Sequence, residues 1–282
     1  MKIIGFVNQK GGVGKTTLGM LTCSALAEAP FNYRCAFIDC DHQQSARKQR
    51  EKDIVVIAEE LAFAKAEQAL IEKGEAVTDE ALDNLGQKYM HIIREKIIAN
   101  ETEYFKYPIY FTPSDQLTET IVKLEEEGNY DYVFLDMPGQ AQGSGLSTLL
   151  VALDYAFIPV ESGDFDVSSS LDFIQGKLKK FKQWKESKGG TAQLDICVLF
   201  NKVEETNVYR SVIQGFKEVF EGDNAVSIID EKKGLTRSIF YKEHCNTYES
   251  ALTVKTKDKR EKGMQKRFET FLNEILNIIN NK

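Results

Sequence analysis

The sequence has 282 residues, of which 42% are hydrophobic and 28% charged, so it can form one large domain or two small ones. Its net charge of −7 excludes a general attraction to nucleic acid or anionic lipid, and any such contact needs a local basic patch. The five cysteines form no Cys-x-x-Cys pair and the three histidines are far apart, which argues against zinc, redox and histidine-based catalytic sites. Without a signal peptide or a transmembrane-length apolar run, we expect a cytoplasmic protein.

Short β-rich runs alternate with helical patterns along the chain. This alternation predicts an α/β fold with a doubly wound, mostly parallel sheet flanked by helices, and a ligand at the carboxyl ends of the strands. The predicted strands are Lys2–Asn8, Cys35–Asp39, Pro108–Thr112, Tyr132–Asp136, Tyr155–Val160, Leu194–Asn201 and Ala225–Ile229. The predicted helices outside residues 47–105 are Lys15–Ala29, Ser114–Glu127, Val167–Glu186, Asn207–Phe220 and Arg260–Asn280.

Residues 8–17 are the most informative segment. They read Asn-Gln-Lys-Gly-Gly-Val-Gly-Lys-Thr-Thr and directly follow the apolar run Ile3–Val7. Glycines let backbone N–H groups point inward, and the start of the next helix adds partial positive charge, so this pattern predicts a phosphate-binding loop. Lys15 can reach the outer phosphates and the Thr16 hydroxyl can bind Mg²⁺. The predicted nucleotide-binding residues of the loop are Gly11, Gly12, Val13, Gly14, Lys15, Thr16 and Thr17. The usual loop pattern has glycine where this chain has Gln9, and Lys10 is an additional lysine.

Carboxylates follow two of the predicted strands. Asp39 and Asp41 leave the second strand, where a carboxylate can bind Mg²⁺ through water or orient an attacking water. Capping of the next helix is the alternative for either residue. Asp136 ends the run Tyr132–Asp136, which is a Walker B arrangement that predicts a metal-binding carboxylate. Pro138 and Gly139, followed by Gln140 and Gln142, predict a switch segment that senses the γ-phosphate.

The segment KGGVGKTT, with its early lysine, resembles the deviant Walker A loop of the ParA/MinD family of P-loop ATPases. The resemblance implies ATP and Mg²⁺ as ligands and a homodimer in the ATP-bound state, in which Lys10 contacts the nucleotide of the partner subunit. It also implies that Asp41 positions the hydrolytic water, with Lys10 and Lys15 as the other catalytic residues. The family pattern D-x-D-P-Q occurs here with His42 in place of proline, and its D-x-P-P pattern occurs with Gly139 in place of the second proline.

Asn201 ends a late strand, and the resemblance implies that it contacts adenine; a turn asparagine is the alternative. Glu204, at the position of the aspartate in the N-K-x-D motif of GTPases, argues against guanine. Residues 47–105 are predicted to be a helical insertion within a single domain spanning 1–282. They form either an excursion from the core or extended crossover helices.

The segment 255–282 begins with basic residues and continues as an amphipathic helix. Three interpretations are open: a solvated charge run before a core helix, a patch for non-specific DNA, or a MinD-like membrane tail, which the Asn-rich end disfavours. The family resemblance implies slow ATP hydrolysis stimulated by a ParB-like partner, in partition of plasmid, chromosomal or mobile-element DNA. The alternatives are a MinD-like membrane-positioning ATPase and a metabolic or redox relative. The cysteine-free stretch between Cys40 and Cys197 argues against a cluster-binding reductase.

Overall fold

The computed structural model describes residues 1–139, 143–161, 164–188, 193–204 and 206–281. The strands in these ranges are β1 (Lys2–Phe6), β2 (Cys35–Asp39), β3 (Ile109–Phe111), β4 (Tyr132–Asp136), β5 (Tyr155–Val160), β6 (Asp195–Val203), β7 (Val226–Ile228) and β8 (Leu235–Thr236). The α-helices are α1 (Lys15–Ala27), α2 (Ser45–Lys73), α3 (Asp79–Ala99), α4 (Glu101–Tyr104), α5 (Leu117–Glu127), α6 (Gly143–Ala152), α7 (Asp164–Phe173), α8 (Lys179–Ser187), α9 (Asn207–Val219), α10 (Ile239–Glu243) and α11 (Lys259–Asn280).

The strands form one sheet of an α/β fold in the order β3-β2-β4-β1-β5-β6-β7, with β8 paired to β6. Every strand pair described is parallel. Helices cover both faces because alternate strand residues enter two separate cores: Phe6 and Phe134 pack on one side, Val7 and Leu135 on the other. The predicted doubly wound parallel sheet is therefore confirmed.

Three parts of the structure differ from the predicted elements. Helix α6 begins at Gly143, where the glycine-rich sequence predicts a switch loop, and Leu149 and Leu150 of α6 are buried in the core. The predicted helix Val167–Glu186 begins earlier, at Asp164, and a π-helical turn at Ile174–Leu178 separates α7 from α8. The two-residue strand β8 and the short helix α10 that follows it have no predicted counterpart.

The region 47–105 is helical, as the sequence predicts. Helix α2 has 29 residues, about 44 Å at the rise of an α-helix, and packs along α3. The two helices approach closely because fully buried alanines line α2 and because Gly86 of α3 lies against the Phe63 ring. Helix α4 then leads to β3, which pairs with β2. The helices thus form the crossover between β2 and β3, and they also have a small core of their own. The structure therefore combines the two predicted alternatives, extended crossover helices and an excursion from the main core.

The C-terminal helix α11 belongs to the main core. Its residues Phe268, Phe271, Leu272 and Ile275 are fully buried in the same cluster as α1. This arrangement corresponds to the interpretation of the segment as a core helix. None of the helices in the described ranges combines the length and the apolar content needed to cross a membrane.

Candidate functional site

The register of the sheet brings the predicted site residues together. In the parallel pairs, Phe6 at the end of β1 and Asp39 at the end of β2 both lie opposite Asp136 at the end of β4. The phosphate loop follows β1 directly, so the loop and both strand-end aspartates meet at the carboxyl edge of the sheet.

The loop between β1 and α1 has the conformation of a phosphate cradle. Gly12 and Gly14 have φ angles of 80° and 93°, which L side chains rarely adopt. The buried Asn8 fixes the start of the loop: its amide donates to the carbonyl of Pro159 and to Ser170, and its oxygen accepts from the N–H of Lys10. Helix α1 begins at Lys15 with Gly14 as its N-cap, so its free N–H groups face the loop.

Lys15 folds back across the loop. Its Nζ donates to the carbonyl of Lys10 at 2.8 Å. Burial lowers the pKa of Lys15, whereas the nearby carboxylates of Asp136 and Asp41 raise it. The Cα of Gly139 lies so close that a Cβ built there would be 3.2 Å from the Lys15 Nζ. The predicted switch residue is therefore next to the lysine that the sequence predicts to bind phosphate.

Thr16 and Asp136 provide the oxygens that suit Mg²⁺. The Thr16 hydroxyl donates to Oδ2 of Asp136 at 2.7 Å, and Asp136 is only 3% exposed. Burial, reinforced by Asp39 and Asp41, raises the pKa of Asp136 to about 7, although the hydrogen bond from Thr16 and the charge of Lys15 oppose this shift. A hydroxyl and a carboxylate, with phosphate oxygens and water, form a donor set that Mg²⁺ prefers, so the residues fit the predicted metal.

The structure places Asp39 and Asp41 in different surroundings. Asp39 is fully buried; its Oδ1 accepts from the N–H of Asp41 at 3.0 Å and its Oδ2 from the N–H of Ala46 at 3.1 Å. Burial raises the pKa of Asp39 despite these hydrogen bonds. Asp39 therefore binds the backbone at the start of α2, as in the capping alternative, and its contact with Mg²⁺ through water stays a prediction. Asp41 is half-buried and lines a cavity above the phosphate loop.

A cavity of about 500 Å³ lies above the loop. Its lining combines the phosphate loop, the carboxylate loop and the switch: Gln9, Gly11, Gly12, Gly14, Lys15, Thr16, Thr17, Asp41, Gln43, Ser45, Met137, Pro138 and Gly139. Lys10 is not among these lining residues of the described chain, although its backbone carbonyl holds Lys15. Gln140 and Gln142, which the sequence places in the switch segment, lie outside the described residues.

Asn201 and Lys202 bind the backbone carbonyls of the phosphate loop. The Asn201 amide donates to the carbonyl of Val13 at 2.9 Å and is buried. Lys202, at a φ of 53°, donates to the carbonyl of Gly12 at 2.7 Å and forms an ion pair with Glu161. In this geometry the amide nitrogen of Asn201 binds the loop backbone, and its contact with adenine stays a prediction. The motif containing Lys202 can be recognised in the sequence, but the hydrogen bond of Lys202 to the loop backbone cannot.

Comparison with known proteins shows the family of the chain. The sequence profile of a family described as an AAA domain matches residues 1–188, which include the phosphate loop, Asp41 and Asp136. The chain belongs to this AAA-domain family. An uncharacterised protein of Methanocaldococcus jannaschii is 25% identical to this AAA-domain protein over 239 residues, which are 81% of this chain and 84% of the relative.

Solved structures show the same fold over nearly the whole AAA-domain chain. The MinD cell division protein of Aquifex aeolicus has a TM-score of 0.55 at 17% identity and covers 98% of this chain, which in turn covers 97% of MinD. A Borrelia burgdorferi B31 protein, described as a plasmid partition protein and bound to AMPPNP, has a TM-score of 0.53 at 15% identity and covers 97% of this chain and 98% of its own. The fold that the ParA/MinD resemblance predicts is therefore confirmed.

Proposed function

We propose that this ATPase is a nucleotide-controlled dimer of ParA type that acts in the partition of DNA. The observation that carries the proposal is the presence of two lysines at one phosphate loop. Lys15 lines the nucleotide cavity, whereas Lys10 contributes its carbonyl to Lys15 and does not line the cavity in the described chain. A second subunit, facing the first across the nucleotides, gives the Lys10 side chain a phosphate to bind in trans.

In this proposal the residues around the cavity have separate functions in slow ATP hydrolysis. The N–H groups of the loop and Lys15 bind the phosphates. Thr16 and Asp136 would hold Mg²⁺, whose positive charge would offset the negative charge of the transferred phosphoryl group. Asp41 orients the attacking water, because it is the half-buried carboxylate in the lining and its Oδ1 is held by the N–H of Gln43 at 2.9 Å. We further propose a ParB-like partner as the activator of hydrolysis.

The proposed DNA surface is the basic segment before and in the first turns of α11. Lys255, Lys257, Lys259, Arg260, Lys262 and Lys266 are exposed. Arg267, which the sequence places in the same run, instead donates to the carbonyl of Gly234 at 2.6 Å and supports the fold. Exposed lysines bind phosphates without sequence preference, with affinity that falls as salt rises.

A gel shift with non-specific duplex DNA tests this role. We expect binding with MgATP and little with MgADP, and a triple glutamine variant at Lys255, Lys257 and Lys259 should lower the slope of log K against log salt by about 3. The matched control replaces Lys65, Lys88 and Lys96 on α2 and α3. Equal binding in ATP and ADP, or equal salt slopes for the two triple variants, would contradict the DNA proposal.

Membrane positioning, as in MinD, is the second candidate, and the structure of α11 argues against it. An amphipathic membrane anchor needs a free apolar face, whereas the apolar residues Phe268, Phe271 and Leu272 are fully buried in the main core. Flotation with anionic liposomes in MgATP separates the candidates: partition of DNA predicts that the protein stays in the bottom fraction, and flotation would favour the membrane role.

A further inference from the structure

A second cavity, of about 420 Å³, lies between the α2–α3 pair and the edge strand β3. Its lining residues are different from those of the nucleotide cavity. Three arginines line it, Arg47 and Arg50 from α2 and Arg94 from α3, together with Ile109 and Phe111 of β3. The lining therefore combines guanidinium groups with apolar side chains.

Arg50 has an unused donor in this lining. Its side chain is only 4% exposed; Nε donates to Thr247 Oγ1 and one terminal nitrogen donates to the carbonyl of Tyr107, both at 2.8 Å. The guanidinium lies 3.8 Å from the centre of the Phe105 ring. The other terminal nitrogen, Nη1, is buried without a hydrogen-bond partner among the described residues. The carboxylate of Glu101 is 3.7 Å away, beyond hydrogen-bond distance. Buried donors normally have acceptors, so this nitrogen, whose ion pair with Glu101 is too long for a hydrogen bond, can donate to a further anionic acceptor.

The other two arginines are available at the mouth of the cavity. Arg47 is half-exposed and pairs with Glu51, one turn along α2, at 3.3 Å. An exposed pair of this kind contributes little and is readily exchanged for a better acceptor. Arg94 is exposed on α3. Three guanidinium groups outnumber the two lining carboxylates, Glu51 and Glu101, so the cavity is locally basic in a chain of net charge −7.

We propose that this cavity binds a small organic anion, with its carboxylate, phosphate or sulfonate group on the arginines and its apolar part against the apolar lining residues. Guanidinium groups bind such planar or tetrahedral anions through paired hydrogen bonds. The apolar part would lie against Ile54, Ile98, Ile109 and Phe111, of which Ile98 is 54% exposed. The site goes beyond the proposed partition function and does not depend on it.

The fluorescent aryl sulfonate ANS is a suitable probe because it combines one anionic group with apolar rings. The titration is carried out with saturating MgAMPPNP, which fills the nucleotide cavity. We expect saturable binding, weakened about tenfold in Arg94→Ala, since loss of one charge-assisted hydrogen bond has that effect on Kd. Arg94→Glu should abolish it. Lys88→Ala, which removes a cation from α3 outside the cavity, should bind ANS like the parent.

Arg50 is left unchanged in this test because it anchors α2 to Thr247 and Tyr107. Arg47→Ala provides a second variant, with thermal unfolding to show that each protein is folded. The proposal is overturned if folded Arg47→Ala and Arg94→Ala both bind ANS as tightly as the parent. It is also overturned if ANS binds the nucleotide-free protein but not the protein saturated with MgAMPPNP, since the probe would then occupy the nucleotide cavity. Absence of saturable ANS binding in either sample would overturn it as well.

Discussion

Gly14→Ala is the sharpest test of the loop geometry. Gly14 has a φ of 93°, and a Cβ built there would lie 2.5 Å from the Asn201 Nδ2, the atom that donates to the carbonyl of Val13. An L side chain in the left-handed region costs about 1–2 kcal/mol. Displacing the Asn201 amide adds about 1 kcal/mol for the lost hydrogen bond. We therefore expect Gly14→Ala to destabilise the fold by about 2–3 kcal/mol.

Two neighbouring glycines separate these contributions. Gly12 has a φ of 80° but nothing within 4 Å of an added Cβ, so Gly12→Ala tests backbone strain alone and should cost about 1–2 kcal/mol. At Gly11, which has no such φ, an added Cβ also meets nothing within 4 Å. Gly11→Ala should therefore leave stability unchanged or raise it by up to about 1 kcal/mol, since alanine restricts the unfolded chain.

Urea unfolding of the nucleotide-free proteins measures the three changes, and a fluorescent ATP analogue measures binding. For a chain of this size, 2–3 kcal/mol corresponds to a fall in Tm of about 4–6 °C. The reasoning is refuted if Gly14→Ala is as stable as the parent, or if Gly11→Ala is destabilised as much as Gly14→Ala.

Three further substitutions test individual contacts. Lys15→Ala should weaken ATP binding by more than about 30-fold, because it removes charge-assisted contacts to phosphate; isothermal titration with unchanged affinity would exclude this role. Asp41→Ala should retain ATP binding and lose steady-state hydrolysis, whereas normal turnover would show that another group orients the water. Lys202→Ala should lower the free energy of unfolding by about 1–3 kcal/mol, because the Gly12 carbonyl and the Glu161 carboxylate lose their donor; Lys242→Ala, at an exposed lysine of α10, is the matched control and should leave it unchanged.

The sequence predicts those parts of the site that are built from contiguous residues. The phosphate loop is a continuous run between a strand and a helix, so its spacing alone determines which N–H groups and which lysine face the ligand. Asp136 is predictable because parallel strands end at one edge, and the register confirms that it lies beside Asp39.

Contacts between distant residues were not predictable. The Asn201–Val13 and Lys202–Gly12 hydrogen bonds join residues 188 and 190 positions apart, and nothing in the local pattern assigns these side chains to the loop backbone. The arginine cavity likewise requires the packing of α2 on α3. In helix α6 a local pattern was misleading. Its glycines predict a loop, but burial of Leu149 and Leu150 outweighs the low helix propensity of glycine.

The most direct test of the central claim, a nucleotide-controlled dimer, is the mass of the protein in solution with MgATP and with MgADP. Light scattering on the Asp41→Ala background, where ATP persists, should give a dimer with MgATP and a monomer with MgADP. Adding Lys10→Ala should return the MgATP sample to the monomer while leaving ATP binding intact. The same mass in both nucleotides, or an ATP dimer unaffected by Lys10→Ala, would contradict the account.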